Sequence, residues 1–264
     1  MRFAKLAPLG AATLVGALVL PSVGQAQSTF DAQQRQAIEQ IVKDYLLENP
    51  EVLQEAMTEL ERRQQEAQKT AQATALQNDR EKLLSPRNTV VGNLSGDITL
   101  VEFFDYNCGY CKRALGDLKT LIKADPKLRV VLKDFPVLGP ESVEASRVGL
   151  AVRQQIQGDR LFEYHTKLLE TRGPVNGARA LAVAREMGLD VERIKTEMES
   201  PEVRAVLQEN LGLGDKLGLS GTPAFVVGDA VFSGAVGADL SGFFAIRVLH
   251  WNAAPSDALG KPSG

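Results

Sequence analysis

The run Cys108-Gly109-Tyr110-Cys111 contains the only two cysteines of the chain and follows an apolar stretch at residues 98–104. Two thiols separated by two residues can close a small, reversible disulfide, so this motif favours redox chemistry over a structural crosslink. The apolar stretch is typical of a strand and residues 112–123 of a helix. Cys108 is therefore predicted at a helix start, where free backbone N–H groups favour a thiolate, and it is the predicted nucleophile.

Two other interpretations of the cysteine pair are open, namely buried filler residues on a helix or half of a zinc site. A closed zinc site needs four ligands, usually Cys and His. The chain has only His165 and His250, each alone in a helix-like run. A histidine more often packs in the interior or lies at the surface, and we interpret both in this way. We therefore favour the interpretation that Cys108 and Cys111 form a redox-active pair.

The N-terminal segment has the pattern of a secretory signal peptide. Arg2 and Lys5 precede an apolar run at residues 6–20, and the small residues Gly24 and Ala26 precede a polar stretch. Cleavage is expected after Ala26. A membrane anchor is the alternative, but the run is shorter than the roughly 20 residues that a span needs. The segment has no cysteine to carry a lipid, so we expect a protein of an oxidising space, most simply the bacterial periplasm.

Composition and charge exclude some classes of function. Residues 27–264 are long enough for one core, and a hydrophobic content of 44% agrees with a globular chain. The formal net charge is −3 and becomes −5 once Arg2 and Lys5 are removed. A surface for polyanions is not indicated, so nucleic acid is not expected as a partner.

Residues 27–85 are predicted as a helical region that mediates oligomerisation. Apolar residues recur at helical spacing over residues 31–60, with a break at Asn49-Pro50 that separates two amphipathic helices. Residues 61–82 carry few large apolar side chains and are expected to form a solvated stalk. The apolar stripe must be buried, and we favour burial on copies of the same chain over folding back onto its own domain.

From Asn88 onward the pattern changes to that of an α/β domain. Strands are predicted at 89–91, 98–104 and 128–135, and the cysteine-bearing helix between the last two gives a right-handed βαβ unit. Strands at 224–227 and 231–232 form a predicted hairpin, which a helix at about 239–251 and a disordered tail at 253–264 follow. Between the two halves five helices are predicted, at 142–155, 159–171, 177–187, just after Asp190, and 201–217.

This layout is that of a thioredoxin fold over residues 86–252 with a helical insertion at about 138–218. Residues 103–112, 133–139 and 221–228 resemble the DsbA-like periplasmic thiol-disulfide oxidoreductases. Residues 45–53 are similar to the ScsC-like branch, in which such an extension makes oligomers and isomerase activity is known.

The resemblance assigns roles to the motif residues. Cys108 would form a mixed disulfide with a client sulfur, and the more buried Cys111 would resolve it. Gly109 and Tyr110 would tune the thiolate. Thr222-Pro223 is expected to be a cis bond that faces the cysteines and leaves the Thr222 backbone free to pair with an extended client. An ordinary trans proline at an edge strand is the alternative.

Charged residues near the motif are further candidates. Glu102 lies in an apolar strand and Lys133 ends another, so we expect the two to pair beneath the cysteines, where Glu102 relays the proton of Cys111. The alternative is that each side chain reaches solvent at a strand end. Lys112 and Arg113 can favour the thiolate, although a solvated helix face is the favoured role for both.

The resulting hypothesis is a periplasmic thiol-disulfide oxidoreductase, more specifically a disulfide isomerase. It would act on unfolded or misfolded cysteine-containing proteins, need no dissociable cofactor and no metal, and be reset by a membrane-bound redox partner. Its motif lacks the histidine of the oxidase type member, so a less extreme potential is expected, which suits disulfide shuffling. A homo-oligomer, dimer or trimer, is expected through residues 27–85. The alternatives are a monomeric dithiol oxidase of the same family, a copper-binding protein and a structural envelope protein.

Overall fold

The computed structural model describes residues 30–234 of the chain. Contacts divide the molecule into two compact units, the first ending at Glu61 and the second beginning at Arg62. The described elements are, in chain order, α1 (Ala32–Glu48), α2 (Glu51–Asn78), α3 (Arg80–Leu83), β1 (Thr89–Gly92), β2 (Ile98–Phe104), α4 (Gly109–Ala124), β3 (Leu128–Asp134), α5 (Pro140–Val152), α6 (Gly158–Leu169), α7 (Gly177–Glu186), α8 (Val191–Glu197), α9 (Pro201–Lys216), β4 (Ala224–Val227) and β5 (Ala230–Ser233).

The first unit contains α1 and the beginning of α2. Asp31 caps α1 by accepting a hydrogen bond from the Gln34 backbone N–H, while the Gln34 side chain accepts one from the Asp31 N–H. This reciprocal pair satisfies two amides that the helix itself leaves unpaired. The predicted break is confirmed, because α1 ends just before Asn49-Pro50 and α2 begins just after it. No residue of α1 is buried.

The second unit is built around a five-stranded sheet in the order β1-β3-β2-β4-β5. β2 and β3 run parallel, with Ile98 opposite Leu128 and Phe104 opposite Asp134, and α4 connects them as the predicted βαβ unit. The other neighbouring pairs are antiparallel, including the predicted hairpin of β4 and β5. Both faces of β2 and β3 are covered and most of their residues are buried, which explains why their sequences are nearly continuous apolar runs.

The sheet separates two core layers. Alternate residues of β2 point to opposite faces, so Leu100 and Phe104 join the core beneath α4, whereas Val101 and Phe103 join a second core beneath α9. Gly214 lets α9 approach this second layer, because a Cβ atom there would lie 2.3 Å from the Phe135 ring. The backbone of α9 is thus brought close enough to cover the sheet.

The C-terminal end of α2 packs onto this second core. Ala75 and Leu76 of α2 and Leu83 of α3 are buried. The Gln72 side chain donates a hydrogen bond to the carbonyl oxygen of Leu217, Nε2 to O 2.8 Å. The prediction of a solvated stalk over residues 61–82 is therefore wrong for its last third. Small side chains suffice here because α9 and the sheet supply the apolar partners, which the helix sequence alone does not show.

The helical insertion matches the prediction to within a few residues at each boundary. α7, α8 and α9 begin after Asn176, Asp190 and Ser200, whose side chains accept a hydrogen bond from the backbone N–H three residues later. The predicted signal peptide at 1–26, helix at 239–251 and tail at 253–264 lie outside the described residues. Within residues 30–234, no helix combines the length and apolar character needed to cross a membrane.

The two glycines of α9 give a matched test of this packing. Gly214→Ala should lower the free energy of unfolding by about 1–3 kcal/mol, because the new methyl group overlaps the Phe135 ring. Gly212→Ala meets no atom within 4 Å and should raise stability by up to about 1 kcal/mol through helix propensity. Urea unfolding of the reduced proteins measures both values. Equal effects at the two positions would contradict the close approach of α9.

Candidate active site

Cys108 occupies the N-cap position of α4, as its sequence context predicts. The Cys111 backbone N–H donates a hydrogen bond to Cys108 Sγ, with 3.4 Å from N to S, and the Cys108 thiol donates one to the Thr222 carbonyl oxygen, with 3.1 Å from S to O. Cys108 is 6% exposed and Cys111 is completely buried. The two sulfurs thus differ in access, and Cys108 is the one that an entering group can reach.

The electrostatic surroundings divide the roles of the two thiols. A hydrogen bond from the Cys111 thiol is the largest cause that lowers the pKa of Cys108 from 9.0 to about 5, and the Thr222 side chain and the N–H groups of Cys111 and Tyr110 add to it against the effect of burial. The pKa of Cys111 is raised far above its ordinary value by donation to Cys108, burial and the nearby Glu102. At neutral pH Cys108 is therefore a thiolate and Cys111 a thiol.

Thr222 and Pro223 immediately precede β4, and the Thr222 carbonyl faces the Cys108 sulfur. The peptide bond between them is cis. β4 itself pairs with β2, the strand that leads into the cysteine motif. Two segments that are 114 residues apart in the chain are thereby brought into hydrogen-bonding contact at Cys108.

Glu102 lies on β2 and its side chain is 2% exposed. It shares the α4 face of the sheet with Leu100 and Phe104, since the three alternate along the strand. Burial, and secondly the negative charge of Cys108, raise the pKa of this carboxyl from 4.5 to about 8. A group with such a pKa can hold or release a proton near neutral pH.

The expected pair of Glu102 and Lys133 is not formed. The parallel register places Glu102 opposite Leu132 and Phe103 opposite Lys133, so the two charged side chains point to opposite faces of the sheet. Lys133 Nζ instead donates hydrogen bonds to the Lys82 carbonyl at 2.8 Å and to Asn210 Oδ1 at 3.2 Å. Burial lowers its pKa to about 8. Lys133 thus connects α3 and α9 beneath the far face and does not lie under the cysteines.

Several buried polar side chains behind the motif were not predicted from the sequence. Asp105 is fully buried and accepts hydrogen bonds from Asn107, Leu138 and Ser142. A signal was present, because Asp105 and Asn107 are polar residues that directly follow an apolar strand and precede the nucleophile. Apart from the bond between Asp105 and Asn107, their partners lie 33 or more residues away along the chain, so the contacts depend on the fold.

The basic residues next to the motif make contacts of their own. Lys112 Nζ donates a hydrogen bond to the Thr171 carbonyl at 2.9 Å. The Arg113 guanidinium lies 4.2 Å from the centre of the Tyr110 ring, which is 58% exposed. Lys112 is therefore tied to the segment between α6 and α7, while Arg113 lies on the solvated helix face that was expected for both.

His165 is buried on α6, with its ring 4.6 Å from that of Phe104 and 5.6 Å from that of Tyr106, measured between centroids. Burial lowers its pKa to about 3, so the imidazole is neutral and packs as part of the core. His250 lies outside the described residues. Across residues 30–234, no group of three or more His, Cys, Asp or Glu side chains is arranged to hold a metal ion.

Two family profiles match the chain. The profile described as "DSBA-like thioredoxin domain" matches residues 99–242, and the one described as "Copper resistance protein ScsC N-terminal domain" matches residues 34–67. The first match covers more than half of the chain and includes both cysteines and the cis proline. The second covers most of α1 and the first part of α2.

Solved structures agree with these matches. A thioredoxin-like oxidoreductase from Silicibacter pomeroyi is 41% identical, with a TM-score of 0.61, over 65% of this chain and 98% of its own. ScsC of Proteus mirabilis in a transitional conformation is 29% identical, with a TM-score of 0.59, over 84% of this chain and 98% of its own.

Curated relatives include the Na⁺/H⁺ antiporter NhaA 1 of Salinispora arenicola, which is 27% identical over 143 residues. The match covers 53% of this chain and 22% of the antiporter, so this chain spans about a fifth of the length of the curated relatives that it matches. The likeness is thus confined to one part of those proteins. From its profile match and its fold, the chain belongs to the family of DsbA-like thioredoxin-fold thiol-disulfide oxidoreductases.

Proposed function

We propose that the protein is a periplasmic disulfide isomerase that acts on unfolded or misfolded proteins containing cysteines. The observation that carries this proposal is the state of the dithiol. Cys108 is held as a thiolate at the start of α4, and Cys111 is kept as a buried thiol directly beside it. An isomerase acts in its reduced form, so a nucleophile that is ionised at neutral pH suits this activity.

The chemistry follows thiol-disulfide exchange. The Cys108 thiolate attacks one sulfur of a client disulfide, so a bond forms between Cys108 and the client while the client's own S–S bond breaks and its second sulfur leaves as a thiolate. A different client thiolate can then attack the mixed disulfide at the client sulfur. The Cys108 thiolate leaves, and the client has a new disulfide with no net oxidation or reduction.

Cys111 releases the client when no client thiol attacks the mixed disulfide. It loses its proton and attacks Cys108, so that the client leaves as a thiolate, reduced by two electrons, and a Cys108–Cys111 disulfide forms. A membrane-bound redox partner must then return those two electrons to the pair. Without Cys111 a stalled client would stay attached.

We propose that Glu102 accepts the proton that Cys111 loses when it attacks Cys108. The charge of the Cys108 thiolate contributes to the raised pKa of Glu102, and this charge disappears when Cys108 enters a mixed disulfide. The pKa of Glu102 then falls, so that Glu102 releases its own proton to solvent, and the resulting carboxylate can accept the proton of Cys111 when Cys111 has to become a nucleophile. This coupling needs no partner cation, consistent with the position of Lys133 on the other face.

Thr222 is the proposed client clamp. Once Cys108 is ionised it no longer donates a hydrogen bond to the Thr222 carbonyl, which becomes available to a backbone N–H of the client. Pro223 has no N–H of its own to compete for partners. An extended client segment can therefore pair with Thr222 as a short additional strand beside the nucleophile.

The N-terminal unit supports self-association. Large apolar side chains of α1 and the start of α2 are between 41% and 70% exposed, namely Ile38, Ile41, Val42, Tyr45, Leu47, Leu53, Met57 and Leu60. Ile38, Ile41, Val42 and Tyr45 recur at spacings of three and four residues and so share one side of α1, and exposed apolar side chains grouped in this way are typical of an interface. We propose that copies of the chain associate through it, and that association brings several dithiols to one client. A monomeric dithiol oxidase would not need it.

The first prediction concerns the pH dependence of Cys108. Alkylation of the reduced protein should rise with pH through a midpoint near 5, because only the thiolate reacts. Cys111→Ala should move the midpoint to higher pH, since the hydrogen bond from the Cys111 thiol, which lowers the pKa of Cys108 most, is lost. The thiolate also stabilises the folded reduced protein fully above pH 9.0, and this contribution is lost as the pH falls to about 5. A midpoint near 9 in the wild type would contradict the assignment.

The second prediction separates the roles of the two cysteines. Cys111→Ser should accumulate a mixed disulfide between Cys108 and a client, because the internal attack that releases the client is lost. Cys108→Ser should form none, since Cys111 is buried and protonated. Non-reducing electrophoresis with scrambled ribonuclease as the client shows the adduct. Adducts of equal yield in both variants would reverse or remove the proposed roles.

The third prediction tests the assembly. Ile41→Lys places a charge in the exposed apolar surface and should reduce the mass in solution to that of one chain, with at least about a fivefold loss of isomerase rate. Gln36→Lys introduces the same charge on the opposite side of α1 and should change neither. Light scattering and refolding of scrambled ribonuclease measure the two effects.

Two results would count against this role of the N-terminal unit. One is a wild-type protein that is already monomeric in solution. The other is a monomeric Ile41→Lys variant that shuffles disulfides as fast as the wild type. A monomer that only oxidises dithiols would favour the oxidase alternative.

A further inference from the structure

A buried carboxylate that the proposed exchange reaction does not use ties together the loops behind Cys108. Asp105 is fully buried between β2 and α4. Its Oδ1 accepts hydrogen bonds from the Asn107 backbone N–H at 2.8 Å and from Ser142 Oγ at 2.7 Å, and its Oδ2 accepts one from the Leu138 N–H at 3.0 Å. A buried carboxylate is costly without such donors, so these three partners are held firmly.

The bond to Leu138 fixes a segment that has no regular structure of its own. Residues 135–139 connect β3 to α5 outside any helix or strand. Val137 and Leu138 are 44% and 55% exposed. Because the Leu138 N–H binds a carboxylate only three residues before Cys108, this apolar pair is kept close to the nucleophile. Such a pair offers a client segment an apolar contact beside the reacting sulfur.

Asn107 extends the same network to a second loop. Its Nδ2 donates to Ser142 Oγ and to the Val175 carbonyl, both at 2.9 Å, and its Oδ1 accepts from the Val175 N–H at 2.7 Å. Val175 is fully buried just before α7. The residue next to Cys108 thus fastens the insertion to the motif, while Asp105 binds the exposed apolar loop through the Leu138 N–H.

We propose that Asp105 is a positioning residue that sets client affinity by holding the Leu138 backbone, and so fixes Val137 and Leu138 as an apolar client-binding surface beside Cys108. The inference rests on the proposed function, because it assumes that polypeptides reach Cys108. It specifies the client chemistry further, namely an extended segment with apolar side chains next to its cysteine. Small disulfides do not cover this surface and are unaffected by its position.

Asp105→Asn separates this role from general stability. The amide oxygen can still accept from Asn107 and Ser142, but the amide NH₂ then faces the Leu138 N–H, and two donors cannot bond to each other. Ser142→Ala is the matched control. It removes one hydrogen bond to the same carboxylate and the one from Asn107 Nδ2 to Ser142 Oγ, and leaves the Leu138 bond in place.

The experiment uses both substitutions in the Cys111→Ser protein, which retains the mixed disulfide. The rate of adduct formation is measured against the concentration of a peptide disulfide flanked by Leu and Val, and against the small reagent 5,5′-dithiobis(2-nitrobenzoate). The ratio of interest is the fold-increase in the half-saturating peptide concentration divided by the fold-decrease in the rate constant for the small reagent. For Asp105→Asn this ratio should be at least about five. Ser142→Ala should change this ratio less than about twofold, with a similar loss of unfolding free energy.

The outcomes distinguish the inference from the function on which it rests. Any effect of the lost charge on the Cys108 thiolate changes both reactions alike and cancels in the ratio. An unchanged ratio in Asp105→Asn, or an equal change in Ser142→Ala, overturns the inference and leaves the proposed function intact. If the unsubstituted Cys111→Ser protein reacts with the small reagent but with no peptide, the proposed function fails as well.

Discussion

The rest of the site depends on the hydrogen bonds that the start of α4 offers to Cys108 Sγ. A sulfur at the N-cap of a helix receives a backbone N–H where the helix has no acceptor of its own, and here that donor belongs to Cys111. The Cys111 thiol adds a second bond, so stabilising one sulfur as an anion requires the other to keep its proton. The spacing of two residues places both donors on the first turn. The division into a nucleophile and a resolving thiol therefore follows from helix geometry, and the dipeptide between them only modulates it.

Much of the fold could be predicted from the sequence because its central strands are buried on both faces and its helices carry clear end signals. The strand at 98–104 agrees with the structure to the residue, and the caps at Asn176, Asp190 and Ser200 begin helices where expected. The site was predictable only in part. Cys108 lies on a local motif, whereas the face on which Lys133 lies depends on the register of two strands, and a shift of one residue reverses it. The sequence shows that a buried charge needs a partner. It does not show which face of the sheet supplies it.

The hydrogen-bond partners of Lys133 attach the end of the N-terminal helical region to the domain. The domain therefore begins earlier in the chain than the change in amino-acid composition near residue 85 suggests. Its ammonium group donates to the carbonyl of Lys82, near the end of α3, and to Asn210, whose own amide donates to Asn88 and to the Asp134 carbonyl. A second contact lies nearby, where Lys216 binds the buried Asp79 at 2.7 Å. Residues 72–84 are thereby attached to α9 and β3 by polar contacts as well as by Leu76 and Leu83. A stretch rich in Gln, Ala and Glu can thus belong to a core when Lys133 and Lys216 of the domain donate hydrogen bonds to its carbonyl and carboxylate oxygens.

A low pKa at Cys108 has opposite consequences for the two halves of the proposed exchange. With a pKa of about 5, about 99% of the sulfur is thiolate at pH 7, which makes Cys108 a good leaving group when a client thiol attacks the mixed disulfide. The same stabilisation reduces the intrinsic nucleophilicity of the thiolate and favours the reduced pair over its disulfide. A reduced resting state is what shuffling requires, and rapid departure from the client limits trapping. The loss in nucleophilicity then has to be offset by holding the client disulfide in place, so the surfaces around Cys108, more than the sulfur itself, determine which clients react.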